Sequence, residues 1–322
     1  MDLQVTTASL PHYPLGVSLA LARQLGADGV ELALTPALLR QGAERARQLA
    51  EARGVPVRSL SLAPLGRAAA DPEQIAAVGR FAAGLPACEV VVLPAPRADE
   101  AGGLGAYFGT IGHYLDALAG GQAILAIENA APHPEDIRPG GPAGTAGPLD
   151  RFAPLRRLVE EWDLAFTYDT SHAAAHGWVL AEPLPLMGAR LRNVQLSDFR
   201  PSARGGAELL PSRVSDRQLH QPPGEGILPL RAFLRTLCRR GYGGLLTLEL
   251  SPRSLRAWWP PSARHRLAAA LEFCRATARD CGAPDPAATL GPRSEREAAA
   301  RADAERRGDG GDAARGDGRA AK

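Results

Sequence analysis

The repeating unit of this chain is clearest in one stretch, Leu164-Ala165-Phe166-Thr167-Tyr168-Asp169-Thr170-Ser171-His172. The first five residues have the apolar and aromatic character of a β-strand. An acid, two hydroxyls and an imidazole follow where that strand would end. A charged group at the end of an apolar strand is rarely buried without a partner. The stretch therefore predicts a strand whose carboxyl end carries chemically useful side chains.

Strands of this kind alternate with longer amphipathic stretches over roughly the first 280 residues, which makes about eight βα units. That number and length predict a (β/α)₈ TIM barrel. A doubly wound sheet is the alternative, but it usually has fewer strands and a glycine-rich loop after the first, where this chain has Ala8-Ser9-Leu10-Pro11-His12. The predicted strands are Asp2–Thr7, Asp28–Leu34, Val55–Leu62, Cys88–Leu93, Ala123–Glu128, Leu164–Asp169, Leu191–Ser197 and Leu245–Leu250.

The helices are predicted from the stretches between these strands, among them Pro36–Arg53, which ends at Gly54. The composition changes after Cys281, where Ala, Arg, Asp, Glu and Gly dominate and aromatic residues are absent. Such a segment buries too little apolar surface to offset the entropy of ordering it. We therefore expect one TIM-barrel domain over residues 1–281 and a disordered tail over residues 282–322.

Charge and cysteine content narrow the class of protein. The 37 Lys and Arg residues nearly balance the 35 Asp and Glu residues, so the net charge of +2 argues against a nucleic-acid or anionic-membrane partner. No apolar run approaches the roughly 20 residues of a membrane helix, and the N-terminus shows no secretory signal. The four cysteines have no zinc-type spacing and are expected to be reduced thiols. These features together predict a cytoplasmic location.

Three carboxylates stand at the ends of predicted strands: Glu128, Asp169 and Glu249. The carboxyl ends of barrel strands meet at one mouth, where these charges would repel each other unless a cation lay between them. Oxygen ligands suit Mg²⁺ or Mn²⁺. Taken singly, each acid has a structural alternative: a strand-end Glu can pair with an arginine, and Asp169 can cap a helix.

Several short motifs, in this order and at these strand positions, resemble the sugar phosphate isomerase/epimerase superfamily, the xylose isomerase-like TIM barrels that include endonuclease IV. The resemblance covers roughly residues 1–280. The motifs are Gly26-Ala-Asp-Gly-Val-Glu-Leu32, Glu128-Asn129, Asp169-Thr-Ser-His172, the Leu-Ser-Asp ending at Asp198, His220-Gln-Pro-Pro-Gly-Glu-Gly226 and Glu249.

The resemblance implies a site for one divalent metal ion, with ligands at Glu128, Asp169, Gln195 and Glu249. Mn²⁺ or Mg²⁺ is expected, with Co²⁺ and Zn²⁺ as alternatives. It also implies that Glu128 and Glu249 act as acid and base on opposite faces of the substrate. His172 is expected to contact the substrate. His220 belongs to the motif that shapes the loop after the seventh strand and is a further candidate for substrate binding.

Two other residues are candidates by position alone. Arg253, just past the eighth strand, is a candidate anchor for a phosphate or carboxylate of the substrate. Glu31 lies within the second strand, where we expect it to help build the floor of the barrel or to bond a neighbouring backbone group.

Two departures from the family pattern matter. Gln195 stands where family members have a metal-binding histidine, which would weaken the site, change its metal preference or mark a barrel that has lost turnover. The extra histidines that endonuclease IV needs for its zinc cluster are missing from the predicted third and fourth strands, and Gln218 precedes His220 where an Asp would be required. DNA repair is therefore not expected.

The sequence thus predicts a metal-dependent isomerase or epimerase of a small sugar, a sugar phosphate or a related keto-polyol. Its chemistry would be proton abstraction next to a carbonyl to give an enediolate, with one carboxylate taking the proton and a second returning it. A dehydratase of the inosose type and a catalytically inactive, metabolite-binding barrel are the alternatives. The expected partner is a small carbohydrate, and the oligomeric state stays open, a homodimer included.

Overall fold

The computed structural model describes residues 1–95, 103–129, 148–201 and 217–282. Residues Met1–Ala278 form one compact unit. A second unit comprises residues 279–322, of which the described part contains the short 3₁₀ turn Asp280–Gly282. The tail predicted over residues 282–322 lies almost wholly outside the described residues.

Eight parallel strands close into a barrel in sequence order, with β8 hydrogen-bonded to β1. The prediction of a (β/α)₈ TIM barrel is therefore confirmed. The strands are β1 Asp2–Thr6, β2 Gly29–Ala33, β3 Val57–Ser61, β4 Val90–Pro94, β5 Ile124–Glu128, β6 Ala165–Asp169, β7 Leu191–Leu196 and β8 Leu245–Leu248.

Helices follow the strands and cover the outside of the barrel. They are α1 Leu15–Gln24, α2 Pro36–Gln41, α3 Ala43–Arg53, α4 Pro72–Ala83, α5 Gly103–Leu118, α6 Pro148–Glu161, α7 Thr170–Ala175, α8 Leu184–Met187, α9 Leu230–Arg239, α10 Pro252–Leu255 and α11 Pro260–Arg279. Short 3₁₀ turns occur at Thr7–Ser9, Ala63–Ala70 and Gly188–Arg190. No helix in the described ranges is both long and apolar enough to cross a membrane.

Successive side chains of each strand point alternately outward and inward. The outward set joins the helices in the main apolar core, to which Phe166 and Tyr168 of β6 belong. The inward set divides into two kinds. A small separate cluster is apolar and consists of Val90, Val92, Ala126, Ala165 and Leu245. The other kind is polar and fully or almost fully buried, which is unusual for a packed barrel interior, and it includes Gln4, Thr6, Glu31, Ser59, Ser61, Asn193, Gln195 and Thr247.

The structure corrects two local predictions. The single helix predicted over Pro36–Arg53 is two helices, because Gly42 takes φ 80° and ψ 162°, a conformation that interrupts the helix and is open chiefly to glycine. The prediction of four reduced thiols is wrong for Cys238 and Cys281, which are disulfide-bonded, whereas Cys88 and Cys274 are free and buried. Because disulfides are rare in the reducing cytosol, the cysteines do not support the cytoplasmic prediction.

Candidate active site at the mouth of the barrel

The predicted acids lie at the carboxyl ends of adjacent strands. Glu128 is the last residue of β5, Asp169 is the last residue of β6, and Glu249 directly follows β8. Gln195 of β7 pairs in register with Asp169 of β6 and with Thr247 of β8. The closure of the barrel therefore brings all four predicted metal ligands to one mouth.

Asp169 has two roles that the sequence offered as alternatives. Its Oδ1 atom accepts hydrogen bonds from the backbone N–H of His172 at 2.6 Å and from the Ser171 hydroxyl at 2.9 Å, so the residue caps helix α7. Its Oδ2 atom is buried without a hydrogen-bond partner. Capping uses one oxygen and fixes the carboxylate, and the other oxygen is left for a ligand.

The end of β6 is held in place by its neighbour Asn129. The Asn129 side chain donates to the Asp169 carbonyl at 3.0 Å and accepts from the Asp169 N–H at 2.8 Å. These two hydrogen bonds to the backbone fix the position of Asp169 along the barrel axis relative to Glu128, which precedes Asn129 in the chain. The Glu128-Asn129 motif thus supplies one site acid and the support of another.

His172 extends from helix α7 over Glu128. Its Nδ1 atom lies 2.9 Å from the Asn129 carbonyl oxygen and 3.2 Å from Glu128 Oε1. A carbonyl oxygen only accepts hydrogen bonds, so Nδ1 carries a proton and Nε2 is the ring atom available for a ligand. The structure therefore places His172 at the mouth, as the sequence predicted.

His220 reaches the same place from the loop after β7. It adopts φ 52°, which is rare for a residue with a side chain, and its Nδ1 lies 3.7 Å from Asp169 Oδ2. The rings of His172 and His220 meet edge to face, with centroids 5.1 Å apart. Asp169, His172 and His220 each offer a ligand atom, and these atoms lie within 4.8 Å of one another, a spacing that a metal ion could bridge.

Asp198 organises the loop that carries His220. Its carboxylate accepts hydrogen bonds from the backbone N–H groups of Gly224 and Leu228, each at 2.9 Å. A Cβ atom at Gly226 would lie 2.3 Å from Asp198 Oδ1, so only glycine fits there. The His220–Gly226 motif therefore shapes this loop, as the resemblance implied.

The structure does not bring Arg253 into this group. Its side chain is exposed on the short helix α10, and no described contact joins it to the acids. Arg200, another arginine near the mouth, is bound to the Glu225 carbonyl at 2.7 Å. A role for Arg253 in substrate binding remains a prediction.

Sequence reasoning missed the part that Glu31 takes in this site. Glu31 of β2 is fully buried, and its side chain bonds other side chains, not a neighbouring backbone group as one of our two alternatives had it. The amide of Gln195 donates to its Oε1 atom at 3.3 Å. Pairs of polar residues two positions apart in apolar strands were the signal in the sequence that could have indicated this buried network: Gln4 and Thr6, Ser59 and Ser61, and Asn193 and Gln195.

Burial and mutual repulsion raise the pKa values of three glutamates. Burial, opposed by hydrogen bonds and reinforced by the charge of Glu128, raises the pKa of Glu31 to about 7. Burial also raises the pKa of Glu128 and, together with the charges of Glu128, Glu31 and Asp169, that of Glu249. Burial lowers the pKa of His172, but Asp169 and Glu128 raise it more, to about 10. The mouth thus brings together more carboxyl groups than its own cations can keep ionised.

Three buried oxygen atoms at the mouth have no hydrogen-bond donor in the described structure: Asp169 Oδ2, Gln195 Oε1 and Glu249 Oε2. Buried polar atoms normally have partners, and three orphan acceptors in an acidic cluster fit a bound cation. Carboxylate and amide oxygens are hard donors of the kind that Mn²⁺ and Mg²⁺ prefer. The residues present therefore fit the divalent ion that the resemblance implies.

Fold and site together define a (β/α)₈ barrel with an acidic, oxygen-rich mouth. A model of the xylose isomerase-like TIM barrel family matches residues 19–277. The chain belongs to this family.

Solved structures share the fold. A xylose isomerase domain protein from Alicyclobacillus acidocaldarius is 21% identical, with a TM-score of 0.58 over 87% of this chain and 99% of its own. A D-allulose 3-epimerase from Methylomonas sp. is 15% identical, with a TM-score of 0.61 over 86% and 97%. A 3-keto-D-glucoside 4-epimerase from E. coli is 17% identical, with a TM-score of 0.56 over 84% and 99%. No curated protein sequence matches the chain significantly.

Proposed function

We propose that this protein is a divalent-metal-dependent isomerase or epimerase of a small sugar, a sugar phosphate or a related keto-polyol. The observation that carries the proposal is the set of three orphan oxygen atoms, on Asp169, Gln195 and Glu249, in a mouth that also holds Glu128. Proteins with the same fold that act on D-allulose and on 3-keto-D-glucoside support the substrate class.

Glu128, Asp169, Gln195 and Glu249 would hold the ion, with Mn²⁺ or Mg²⁺ preferred to Co²⁺ or Zn²⁺ because all four residues offer oxygen. When bound, such an ion supplies positive charge that stabilises the enediolate formed by loss of a proton next to a carbonyl. The imidazoles of His172 and His220 border this set and are suited to substrate hydroxyls.

Glu128 and Glu249 are the proposed acid and base. Glu128 ends β5 and Glu249 directly follows β8, so they approach the mouth from different sides of the barrel. Burial raises the pKa of each carboxyl, which allows it to hold a proton closer to neutral pH than an exposed glutamate does. One carboxylate would take the proton from the substrate carbon while the other returns a proton at the opposite face or at the neighbouring carbon.

His172 would orient the carboxylate of Glu128. Its Nδ1–H group is directed at the Asn129 carbonyl and at Glu128, which leaves Nε2 for a substrate hydroxyl. The Nδ1 contact keeps the Glu128 carboxylate oriented, and Nε2 would form a hydrogen bond with an oxygen atom of a sugar.

A screen in deuterated solvent tests the proposal. The protein, loaded with Mn²⁺, is incubated with free ketoses, phosphorylated ketoses and inosose-type ketones, and the products are followed by NMR. Isomerase or epimerase activity places solvent deuterium on the carbon next to the carbonyl without any other change of mass. Loss of water from a substrate would identify a dehydratase instead. Failure of Mn²⁺, Mg²⁺ and Co²⁺ to bind or to raise the melting temperature would overturn the catalytic proposal and leave a metabolite-binding barrel.

A further inference from the structure

A chain of buried side chains lies inside the barrel, beneath the acidic mouth. It consists of residues from five strands that are all less than 1% exposed: Gln4, Glu31, Ser59, Asn193, Gln195 and Thr247. Buried polar networks specify the orientation of each member when the direction of every hydrogen bond is determined. The donors and acceptors of this network determine those directions.

The network starts at the amide of Gln4. Its Nε2 atom donates to the Ser59 hydroxyl at 2.8 Å and to the Thr247 hydroxyl at 2.7 Å. A hydroxyl that accepts from an amide still has one proton to donate. Ser59 donates to Glu31 Oε2 at 3.2 Å, and Thr247 donates to Asn193 Oδ1 at 2.8 Å.

These bonds fix the amide of Asn193. Since its Oδ1 accepts from Thr247, its Nδ2 is the atom that faces Glu31 Oε2, at 3.2 Å. Glu31 therefore receives donors from two directions and acts as an acceptor. In its ionised form the Glu31 carboxylate can face only donors, so the atom that meets its Oε1 at 3.3 Å is Gln195 Nε2.

The far end of the Gln195 amide is then its carbonyl oxygen, which is buried and has no donor in the described structure. Gln195 is paired in register with Asp169, whose Oδ2 is also without a donor. An amide turned the other way would present an NH₂ group to the mouth, and an NH₂ group repels a cation.

We propose that Glu31 is a positioning residue that orients the Gln195 amide, so that a carbonyl oxygen faces the metal site where family members have an imidazole. The inference rests on the proposed function, since it assigns a ligand atom for the ion proposed there. The network from Gln4 to Glu31 would allow Gln195 to act as a ligand, so that the site offers four oxygen ligands to the ion. Such a set favours Mn²⁺ and Mg²⁺ over Zn²⁺.

The test measures Mn²⁺ affinity by titration calorimetry and by electron paramagnetic resonance of the free ion. Glu31→Gln keeps the shape of the side chain but adds an NH₂ group that can donate to Gln195 Oε1 and turn the amide. We expect the dissociation constant for Mn²⁺ to rise about 10- to 100-fold, the usual effect of losing a residue that orients a metal ligand. Matching far-UV circular dichroism spectra verify that the variant is folded.

A double-mutant cycle separates orientation from charge, because Glu31→Gln also removes a negative charge near the ion. In a Gln195→Leu background the charge effect persists but there is no amide to orient, so Glu31→Gln should weaken Mn²⁺ binding less than about fivefold. Glu31→Asp retains the charge and loses the reach to Gln195, and it should weaken binding in the wild-type background. It serves as the test if Glu31→Gln does not fold.

The outcomes distinguish the two proposals. If the wild-type protein binds no divalent ion, the proposed function and this inference both fall. If wild type binds Mn²⁺ but Glu31→Gln changes affinity by the same factor in both backgrounds, Glu31 acts through its charge alone. In that case the positioning role is wrong while the metal site stands.

Discussion

The two sides of the barrel interior differ in what fills them. Near β4 and β5 the inward side chains are apolar, with Val90, Val92 and Ala126 in one cluster. Near β1, β2 and β7 they are amides, hydroxyls and a carboxylate, with Gln4 and Glu31 fully buried. Apolar packing stabilises the fold without regard to direction, whereas the polar side requires each group to face a given partner. The comparison indicates that one side supports the fold and the other orients the site.

The largest expected effect concerns the acids above this interior. Glu249→Gln and Glu128→Gln should each lower kcat about 10²- to 10⁴-fold, the range for loss of a general acid or base. Deuterium incorporation into the substrate, once the screen has identified one, measures this. Glu160→Gln is the matched control, because Glu160 is an exposed residue of α6 that pairs with Arg156 at 2.7 Å, outside the acidic cluster. Near-wild-type turnover in Glu249→Gln would overturn the two-carboxylate mechanism.

The second expected effect concerns the apolar core between the outward face of the strands and the helices. Phe166 is fully buried and packs against Phe152 with ring centroids 5.5 Å apart. Phe166→Ala should lower the free energy of unfolding by about 3–5 kcal/mol. The folded fraction should retain the Mn²⁺ affinity of wild type, because outward side chains of β6 do not touch the site. Urea unfolding and calorimetry measure the two quantities, with exposed Val179→Ala as a control that changes neither. A large loss of Mn²⁺ affinity would show that the outer apolar core also fixes the site.

The third effect is a pH dependence of the metal-free protein. The pKa of Glu31 is about 7 in the folded protein against 4.5 for an ordinary glutamate, so the folded state binds this proton more tightly. The free energy of unfolding should therefore fall as pH rises from about 4.5 to about 7, by on the order of 3 kcal/mol from this group. The raised pKa of His172 acts in the same direction, with its stabilising contribution lost as pH rises from 6.5 to about 10.

Urea unfolding at several pH values measures this slope, and Glu31→Gln provides the comparison. The variant should show a flatter dependence between pH 5 and 7, because its amide does not titrate. Added Mn²⁺ should stabilise wild type more at pH 7.5 than at pH 5.5, since protons compete for the same oxygen atoms. An equal slope in wild type and variant would show that Glu31 does not carry the raised pKa.

The smallest expected effect belongs to Gln195→His, which restores the family's ligand type. Turnover should be preserved or improved, and the preference among metals should shift towards Co²⁺ and Zn²⁺, because imidazole is a softer donor than an amide oxygen. Competition titrations of Mn²⁺ against Zn²⁺ measure the shift. Gln195→Leu is the control, and it should weaken all three ions. A Gln195→His variant with unchanged preference would indicate that residue 195 is not a ligand.

Much of the fold could be predicted because strand and helix signals are local. The polar residues that end β5, β6 and β8 stood out against apolar runs, so the positions of Glu128, Asp169 and Glu249 at strand ends were predicted correctly. Local signals also misled: Pro36–Arg53 has helical composition throughout, and the break at Gly42 depends on one backbone angle. For Asp169 the two interpretations were not exclusive, since one carboxylate oxygen caps a helix while the other faces the mouth.

By itself the sequence determined the alternation of strands and helices, and with it the edge at which the strand-end acids meet, because these follow from hydrophobic pattern and from the parallel order of the strands. Only the tertiary structure decided which polar groups meet inside. Glu31 and Gln195 are separated by 164 residues, and Gln4 bonds Thr247 across the closure of β1 on β8. The physical reason is that a hydrogen bond acts over about 3 Å and in one direction. Its partners therefore depend on barrel closure and strand register, which no short stretch of sequence contains.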